Sequence, residues 1–388
     1  MINQLVTAVL LATLAPAAHP APALPLGDND LAETRTTRTL APGVTLTEIV
    51  RGTDPAPADQ INTTTRGPWR VDVLTIDPRR AHGHLRATYG EDLSRTETVT
   101  DLAAQAHALA AVNASFFTFT ASAQYPGTPV GLGLYDGKLL SDPTTDPTEA
   151  DLLIDADRNT MTVGRLHWTG SLANPRTGAS LPVALVDEPP AAAGQVTEIT
   201  PEFAAQTPAG PGAEVVLDRR DCVVRTAGVR GTTLKSGQTA IQATGAQAGP
   251  LLSLATGCLR ETSNLTDDSG RRVSPRPGLY GVTGRYQLLK DGQNVVPTGS
   301  GSFFDRNPRT IAGTTAGGKI VLAALDGRLT TSVGTTLDET ARVAQALGLR
   351  DAINLDGGGS TTMVARGALI NTPSGGTQRA VGDALVWN

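Results

Sequence analysis

Short apolar runs, separated by glycine, proline and polar residues, make up most of the pattern along this chain. Such runs are typical of β-strands, and they predict strands at residues 44–50, at residues 71–76 and within residues 214–224. Asp-Gly pairs at 136–137 and 291–292 each separate two such runs, as the two-residue turn of a β-hairpin does. The pattern therefore predicts many antiparallel strands.

Two segments instead carry the period of an amphipathic helix. Residues 98–111 place apolar side chains on one face, with Thr98 or Thr100 as the N-cap. The second helix begins with a capping box made by Thr336 and Glu339 and ends before Gly348. Strands and helices follow one another without a regular βαβ rhythm. We therefore expect an α+β fold with mixed, mostly antiparallel sheets packed against helices.

The polar stretches suggest how the chain is divided. Residues 24–40 are rich in threonine and arginine and are expected to be disordered. Residues 187–212 and 261–279 are expected to be long loops on the surface. The remaining pattern is continuous, so residues 41–388 are expected to form a single large catalytic domain.

The N-terminus has the pattern of an export signal. An apolar run at residues 5–18 is shorter than the about 20 residues that span a bilayer. It leads to Ala21-Pro22-Ala23, a small-x-small cleavage pattern, although no Lys or Arg precedes the run. We expect residues 1–23 to be a signal peptide, the protein to be secreted and the mature chain to have no membrane span.

Charge and cysteine content add two expectations. The formal net charge of −5 argues against nucleic acid as a partner. The two cysteines, Cys222 and Cys258, are expected to form one disulfide in an exported protein, the alternative being two buried free thiols.

The segment from Asp356 to Ser360 carries the most distinctive chemistry. A buried strand is followed by one carboxylate, by Gly357, Gly358 and Gly359, and by hydroxyl groups that start with Ser360. Successive glycines leave backbone N–H groups open to a ligand, so we expect a site for an anion. A phosphate-binding P-loop is excluded because Gly359 stands where its lysine is needed. No Gly-x-Ser-x-Gly elbow occurs, and the alternative is a tight turn between strands.

Two further charged residues lie at predicted strand ends. Asp326 and Asp356 each end an apolar strand, and a single helix joins the two strands, so both carboxylates are expected at one sheet edge. Arg309 follows Pro308, which fixes the local backbone, and its guanidinium suits a phosphate. The alternatives are a surface ion pair for Arg309 and a plain β-turn for Asp326.

These motifs together resemble the phosphodiester glycosidase family, which includes the lysosomal uncovering enzyme. The resemblance is carried by Asn113-Ala-Ser-Phe-Phe, Asn307-Pro-Arg309-Thr310, Asp326-Gly-Arg and Asn354-Leu-Asp356-Gly-Gly-Gly-Ser360, which stand in this order. It covers residues 98–388 and is strongest over residues 98–140 and 280–388. The family often has Asn-Gly where this chain has Asn113-Ala114, so the contacts of that strand are expected to differ.

The resemblance implies hydrolysis of a sugar 1-phosphodiester at the anomeric carbon. The catalytic candidates are Asp356, Asp326 and Arg309. The candidates for substrate binding are Asn113, which would bind the sugar or order the site, Thr310, Gly357, Gly358, Gly359, Ser360 and Arg285. A preference for N-acetylglucosamine does not carry over, because nothing here resembles the uncovering enzyme's extra modules or membrane anchor.

The expected substrate is a phosphodiester-linked glycan of a bacterial cell wall or an extracellular polysaccharide. Two alternatives remain, a phosphodiesterase that cuts a P–O bond and a non-catalytic polysaccharide-binding module. No cofactor or metal is expected, because no dense run of acids marks a metal site. A Ca²⁺ ion among Asp326, Asp356 and nearby carbonyls stays open.

Overall fold

A computed structural model describes residues 22–190 and 194–388 of the protein. The predicted signal peptide lies outside the described residues, apart from Pro22 and Ala23. The described chain is rich in strands, 43% against 10% helix, and its sheets are mostly antiparallel. The expectation of an α+β fold is therefore met only in part, because helices are few.

The strands of the first half are β1 Glu33–Ala41, β2 Val44–Arg51, β3 Trp69–Ile76, β4 Leu85–Thr88, β5 Ala110–Asn113, β6 Gly133–Tyr135, β7 Lys138–Ser141, β8 Glu149–Asp155, β9 Thr160–Gly164, β10 Leu166–Ala173, β11 Ser180–Val183, β12 Leu185–Val186 and β13 Val196–Ile199. The strands of the second half are β14 Gly210–Leu217, β15 Val223–Arg230, β16 Thr239–Ala243, β17 Arg260–Asp267, β18 Arg272–Val273, β19 Leu279–Arg285, β20 Gln287–Lys290, β21 Gln293–Asn294, β22 Arg309–Thr315, β23 Ile320–Leu325, β24 Leu349–Leu355, β25 Met363–Ala365, β26 Ala368–Leu369 and β27 Ala384–Trp387. The α-helices of the described residues are α1 Val99–Gln105, α2 Ala248–Leu254 and α3 Leu337–Ala346.

One sheet of eight strands, in the order β1-β2-β3-β23-β22-β24-β20-β21, organises the part of the molecule that holds the site. Side chains of its central strands alternate between two apolar cores. Leu322 and Ile353 face one core, while Ile311, Ala323 and Ala352 face the other, together with helix α3. This alternation is the period of two that strands impose, with both faces covered.

A five-stranded sheet in the order β26-β25-β5-β27-β4 packs beside the eight-stranded one. Strand β5 lies between β25 and β27, so residues near 110 pair with residues near 365 and 385. Val112 and Leu385 join the same core as Leu322. This packing brings the end of β5 next to the end of β24.

A separate apolar core lies under sheets built from the middle of the chain. Strands β13, β14 and β16 and helix α2 supply most of it, with Val215, Ile241 and Leu251 fully buried. Cys222 and Cys258 form a disulfide here, which confirms the predicted pairing.

Local signals of sequence predicted their elements well. Helix α3 begins at the predicted capping box, in which Thr336 and Glu339 bond each other's backbone amides. The predicted strands at 44–50 and 71–76 are β2 and β3, and both predicted hairpin turns are present, as β6–β7 and β20–β21.

Other expectations are wrong. Residues 24–40 are not disordered, because Leu24 and Leu26 are buried and β1 pairs along β2. The expected loop at 261–279 contains β17, a largely polar strand that pairs with β10. The expected loop at 187–212 contains β13. The predicted helix at 98–111 ends early, because the chain turns at Ala106 and enters β5.

Candidate active site

Three strands bring charged residues to one edge of the eight-stranded sheet. Strand β22 lies between β23 and β24 and is antiparallel to both, so β23 and β24 end at the same edge. Arg309 begins β22 there, while Asp326 and Asp356 directly follow the other two strands. The expectation that both carboxylates reach one sheet edge is confirmed.

The two carboxylates nevertheless do not line one cavity, which does not fit the catalytic role expected for Asp326. The Asp326 carboxylate is buried and accepts hydrogen bonds from Asn371 Nδ2 at 3.0 Å and from the Thr372 amide at 3.0 Å and 3.1 Å. Burial raises its pKa, against the lowering effect of these bonds. Asp326 thus orders the chain around residue 371 and does not line the cavity described next.

Asp356 lies in the wall of a polar cavity of about 290 Å³. Its carboxylate Oδ1 accepts the amide of Gly357 at 2.9 Å. Burial raises the pKa of Asp356 to about 6, while a hydrogen bond from Ser360 and the charge of Arg379 lower it and the charge of Asp383 raises it. This pKa lies below neutral pH, so the carboxylate form of Asp356 predominates there. The residues around the cavity are Phe116, Ser302, Phe303, Asn307, Arg309, Arg328, Asn354, Asp356, Gly357, Gly358, Gly359 and Arg379.

Arg309 is held in the cavity wall by backbone oxygens. Its Nη2 donates to the carbonyls of Phe303 at 2.6 Å and Asp305 at 2.9 Å, and its Nε donates to the carbonyl of Thr335 at 3.3 Å. Burial, and then the charge of Arg328, lower the pKa of Arg309 to about 10. The guanidinium is still charged at neutral pH, and its position is fixed before any ligand arrives.

Two more arginines, absent from our predicted site, complete the cavity. Arg328 donates from Nε at 3.1 Å and from Nη2 at 2.6 Å to Asn307 Oδ1. The backbone of Arg328 lies in the left-handed region, with a φ of 61°. Arg379 lies 4.6 Å from the centre of the Phe119 ring and donates to Ser360 Oγ at 3.4 Å. Among the described residues, neither they nor Arg309 form an ion pair with a carboxylate, so the cavity has a surplus of positive charge.

The sequence predicts that the backbone amides of the three glycines are open to a ligand, but two of these amides already have acceptors within the protein. The Gly357 amide is bound by Asp356, and the Gly358 amide donates to the Pro308 carbonyl at 2.9 Å. A Cβ on Gly359 would lie 2.2 Å from Arg379 Nη2, and one on Gly358 would lie 3.3 Å from Arg328. The glycines therefore let two guanidinium groups lie against the backbone beside Asp356.

The other predicted binding residues lie behind or beside the cavity wall. Asn113 is buried; its Nδ2 donates to the Asp356 carbonyl at 2.6 Å, and its Oδ1 accepts the Thr310 hydroxyl at 2.8 Å. Ser360 is buried and bonded to Arg379. Asn113, Thr310 and Ser360 therefore hold the wall in shape, consistent with the ordering role expected as one option for Asn113. Arg285 lies in a neighbouring cavity, 5.3 Å from the centre of the Phe116 ring.

Asp383 is a further group that sequence reasoning missed. It is buried and accepts hydrogen bonds from the Ser115 amide and hydroxyl, each at 2.7 Å, and from the Tyr135 hydroxyl at 2.8 Å. Burial raises the pKa of Asp383, against these bonds. Ser115 was visible in the Asn113-Ala-Ser motif, whereas Asp383 and Arg379 carry no local signal.

Two negative findings concern the described residues alone. There, no group of three or more His, Cys, Asp or Glu side chains is arranged to hold a metal ion. No helix within the described ranges is long and apolar enough to cross a membrane.

The fold and the site together define a β-rich protein with a cavity in which three arginines surround one carboxylate. Residues 211–387 match the family model for phosphodiester glycosidases. The match includes Arg309, Arg328, Asp356 and Arg379. This match confirms the resemblance found in the sequence over residues 211–387.

Two solved structures share the fold over most of the chain. A presumed exported protein of Burkholderia pseudomallei matches with a TM-score of 0.83 and 25% identity, over 95% of this chain and 99% of that one. A hypothetical protein from Synechocystis matches with a TM-score of 0.72 and 21% identity, over 91% of this chain and 63% of that one. The uncharacterized protein YomE, from the SPbeta prophage of Bacillus subtilis, is 36% identical over 80 residues, which are 21% of this chain and 12% of that protein.

Proposed function

We propose that the protein hydrolyses glycosyl 1-phosphodiesters by breaking the bond between the anomeric carbon and the phosphate oxygen. One observation carries this proposal: the Asp356 carboxylate shares a cavity with three arginines that have no carboxylate partner among the described residues. The cavity thus offers both the negative group that a developing sugar cation needs and the positive groups that a phosphate needs. The match of residues 211–387 to the phosphodiester glycosidase family model supports the same reaction class.

The arginines bind and stabilise the phosphate. Arg309 is fixed by three backbone carbonyls, so it needs little reorganisation when the anion enters. Arg328 and Arg379 lie against Gly358 and Gly359 on the side of Asp356. As the anomeric C–O bond breaks, the electron pair goes to the phosphate oxygen, and the guanidinium groups stabilise the added charge.

Asp356 acts on the other side of the breaking bond. Its ionised carboxylate stabilises the positive charge on the anomeric carbon, as nucleophile, base or electrostatic partner. A water oxygen bonds to that carbon, and the water's second proton ends on the released phosphate monoester. The products are the free sugar and a phosphomonoester. A phosphate ester leaves easily, which is consistent with a cavity that presents one carboxylate instead of two.

The cellular location of the enzyme and its natural substrate are also proposals. The disulfide between Cys222 and Cys258 and the exported-protein name of a structural relative support a secreted enzyme. The small polar cavity suits one sugar phosphate at a time. We propose that the substrate is a phosphodiester-linked glycan of a bacterial wall or an extracellular polysaccharide.

The decisive experiment is hydrolysis of methyl phosphodiesters of glucose, mannose, galactose and N-acetylglucosamine 1-phosphates in oxygen-18 water. Our proposal expects the label on the released sugar. Label on the phosphate would show cleavage of the P–O bond and would replace the proposal with a phosphodiesterase. Binding of a sugar phosphate without release of any sugar would favour a non-catalytic binding module.

A further inference from the structure

Asn354 has an unusual position in the cavity wall. Its side chain is 1% exposed, and neither its Oδ1 nor its Nδ2 has a hydrogen-bond partner among the described residues. A buried amide in this state is costly to the fold, because it has lost water and gained no replacement. Thr361 and Thr362 also have buried hydroxyls without a partner in the described part of the chain, but neither lines the cavity.

The position in the sheet gives no structural reason for an amide. Asn354 is directly opposite Ile311 in the register of β22 and β24, and Ala352 is the next residue of β24 on the same face. Both neighbours belong to an apolar core, so an apolar side chain at position 354 would fit the pattern. Asparagine at this position is better explained by a ligand that completes its hydrogen bonds.

The spacing at the end of β24 limits which part of the ligand Asn354 can reach. Asp356 directly follows β24 and is two residues from Asn354, so in extended chain their Cα atoms are about 7 Å apart. Both residues line the same cavity. Both side chains are short. When Asp356 faces the anomeric carbon, the ligand group within reach of Asn354 lies close to that carbon.

We propose that the Asn354 amide binds the sugar hydroxyl on the carbon next to the anomeric carbon. This inference rests on the proposed function. A hydroxyl both donates and accepts, so it can pair with Oδ1 and Nδ2 of one carboxamide. Asn354 is then the residue that selects sugars with a free hydroxyl at carbon 2, and its hydrogen bond strengthens as positive charge develops on the ring.

The test compares the best-cleaved methyl phosphodiester with its 2-deoxy and 6-deoxy analogues, in the wild type, in Asn354→Leu and in Thr361→Val. We expect Asn354→Leu to lower kcat/KM about 100-fold for the parent substrate and for the 6-deoxy analogue, with little effect on the 2-deoxy analogue. Thr361→Val also removes an unpaired buried hydroxyl, but outside the cavity, so it should affect all three substrates equally.

Other results would overturn the inference. If Asn354→Leu slows the parent and the 2-deoxy analogue equally, Asn354 does not bind that hydroxyl, although the proposed reaction stands. A wild type that cleaves the N-acetylglucosamine substrate alone would also exclude a free hydroxyl as the ligand. If the wild type cleaves none of the substrates, the proposed function fails, and calorimetry with glucose 1-phosphate and 2-deoxyglucose 1-phosphate decides the inference. Equal affinities of the wild type for both would then overturn it.

Discussion

Two strand ends of this protein share the local sequence Leu-Asp-Gly, at Leu325-Asp326-Gly327 and at Leu355-Asp356-Gly357, and differ in what surrounds the aspartate. Both aspartates follow a buried strand at the same edge of one sheet. The chain near residue 371 covers Asp326 and donates hydrogen bonds to both oxygens of its carboxylate. Beside Asp356 the backbone has no side chains at three successive positions, and arginines occupy that space.

The comparison shows that the residues following the motif decide its chemistry. Gly327 allows close backbone packing, since a Cβ there would lie 2.6 Å from the Pro308 nitrogen. Gly359 instead makes room for the guanidinium of Arg379. The Leu-Asp-Gly pattern alone therefore indicates only the end of a strand. The two further glycines, Gly358 and Gly359, mark the strand end that borders the cavity.

The largest expected difference between the two strand ends is in activity. Asp356→Asn keeps the shape of the side chain and removes its charge, so we expect at least an about 100-fold loss of kcat for sugar release. Asp326→Asn should change kcat by less than about threefold, because Asp326 does not line the cavity. Steady-state kinetics on folded protein, checked by circular dichroism, measures both. Equal losses would show that the two carboxylates act together.

A smaller loss of activity is expected when the space between the backbone and Arg379 is filled. The Cβ of Gly359→Ala would lie 2.2 Å from Arg379 Nη2, so the guanidinium must move away from Asp356. We expect about a 10-fold to 100-fold loss of kcat/KM with little change in Tm. Gly375→Ala is the matched control, since its Cβ meets nothing closer than 4.0 Å. An unaffected Gly359→Ala variant would show that Arg379 need not lie there.

The pH profile should separate Asp356 from its neighbours. Asp356 must be ionised to act, and its pKa is about 6, so kcat/KM should rise with pH through a midpoint near 6. The charge of Arg379 lowers that pKa, so Arg379→Met should move the midpoint to higher pH. A midpoint unchanged in Arg379→Met would mean that another group controls the profile.

The smallest expected effect concerns stability at the Asp326 strand end. Burial, and then the charge of Asp326, raise the pKa of Asp72 to about 7, above its ordinary value of 3.8. The ionised form is therefore disfavoured by folding, and the free energy of unfolding falls as the pH rises from about 4 to about 7. Asp72→Asn should increase this free energy at pH 8 by on the order of 2 kcal/mol and leave it nearly unchanged at pH 4. Urea unfolding at both pH values tests this; equal effects at both would exclude ionisation as the cause.

The sequence predicted those parts of the fold and the site that depend on neighbouring residues. The capping box of α3 and the Asp-Gly hairpins were found because each depends on a few adjacent residues. Arg309 and Asp356 were found because each belongs to a compact motif. Strand β17 was missed because its side chains are mostly polar and its pairing with β10 and β18, not its own pattern, makes it a strand.

The parts that the sequence did not predict depend on contacts between distant residues. Arg379 is 20 positions from Gly359, and nothing near it indicates that it lies on that backbone. The different environments of Asp326 and Asp356 likewise depend on which segments cover them. Asn354 was part of a recognised motif, but its unpaired amide is visible only in three dimensions.

The hydrogen bond from Asn113 to the Asp356 carbonyl joins residues separated by 243 positions in the chain. Closing so long a loop is slow compared with forming hairpins and helices. During refolding, β22, β23 and β24 can therefore pair before β5 docks against the end of β24. Sugar-releasing activity should return later than the strand signal in circular dichroism, so that the wall of the cavity is among the last parts of the molecule to acquire its final form.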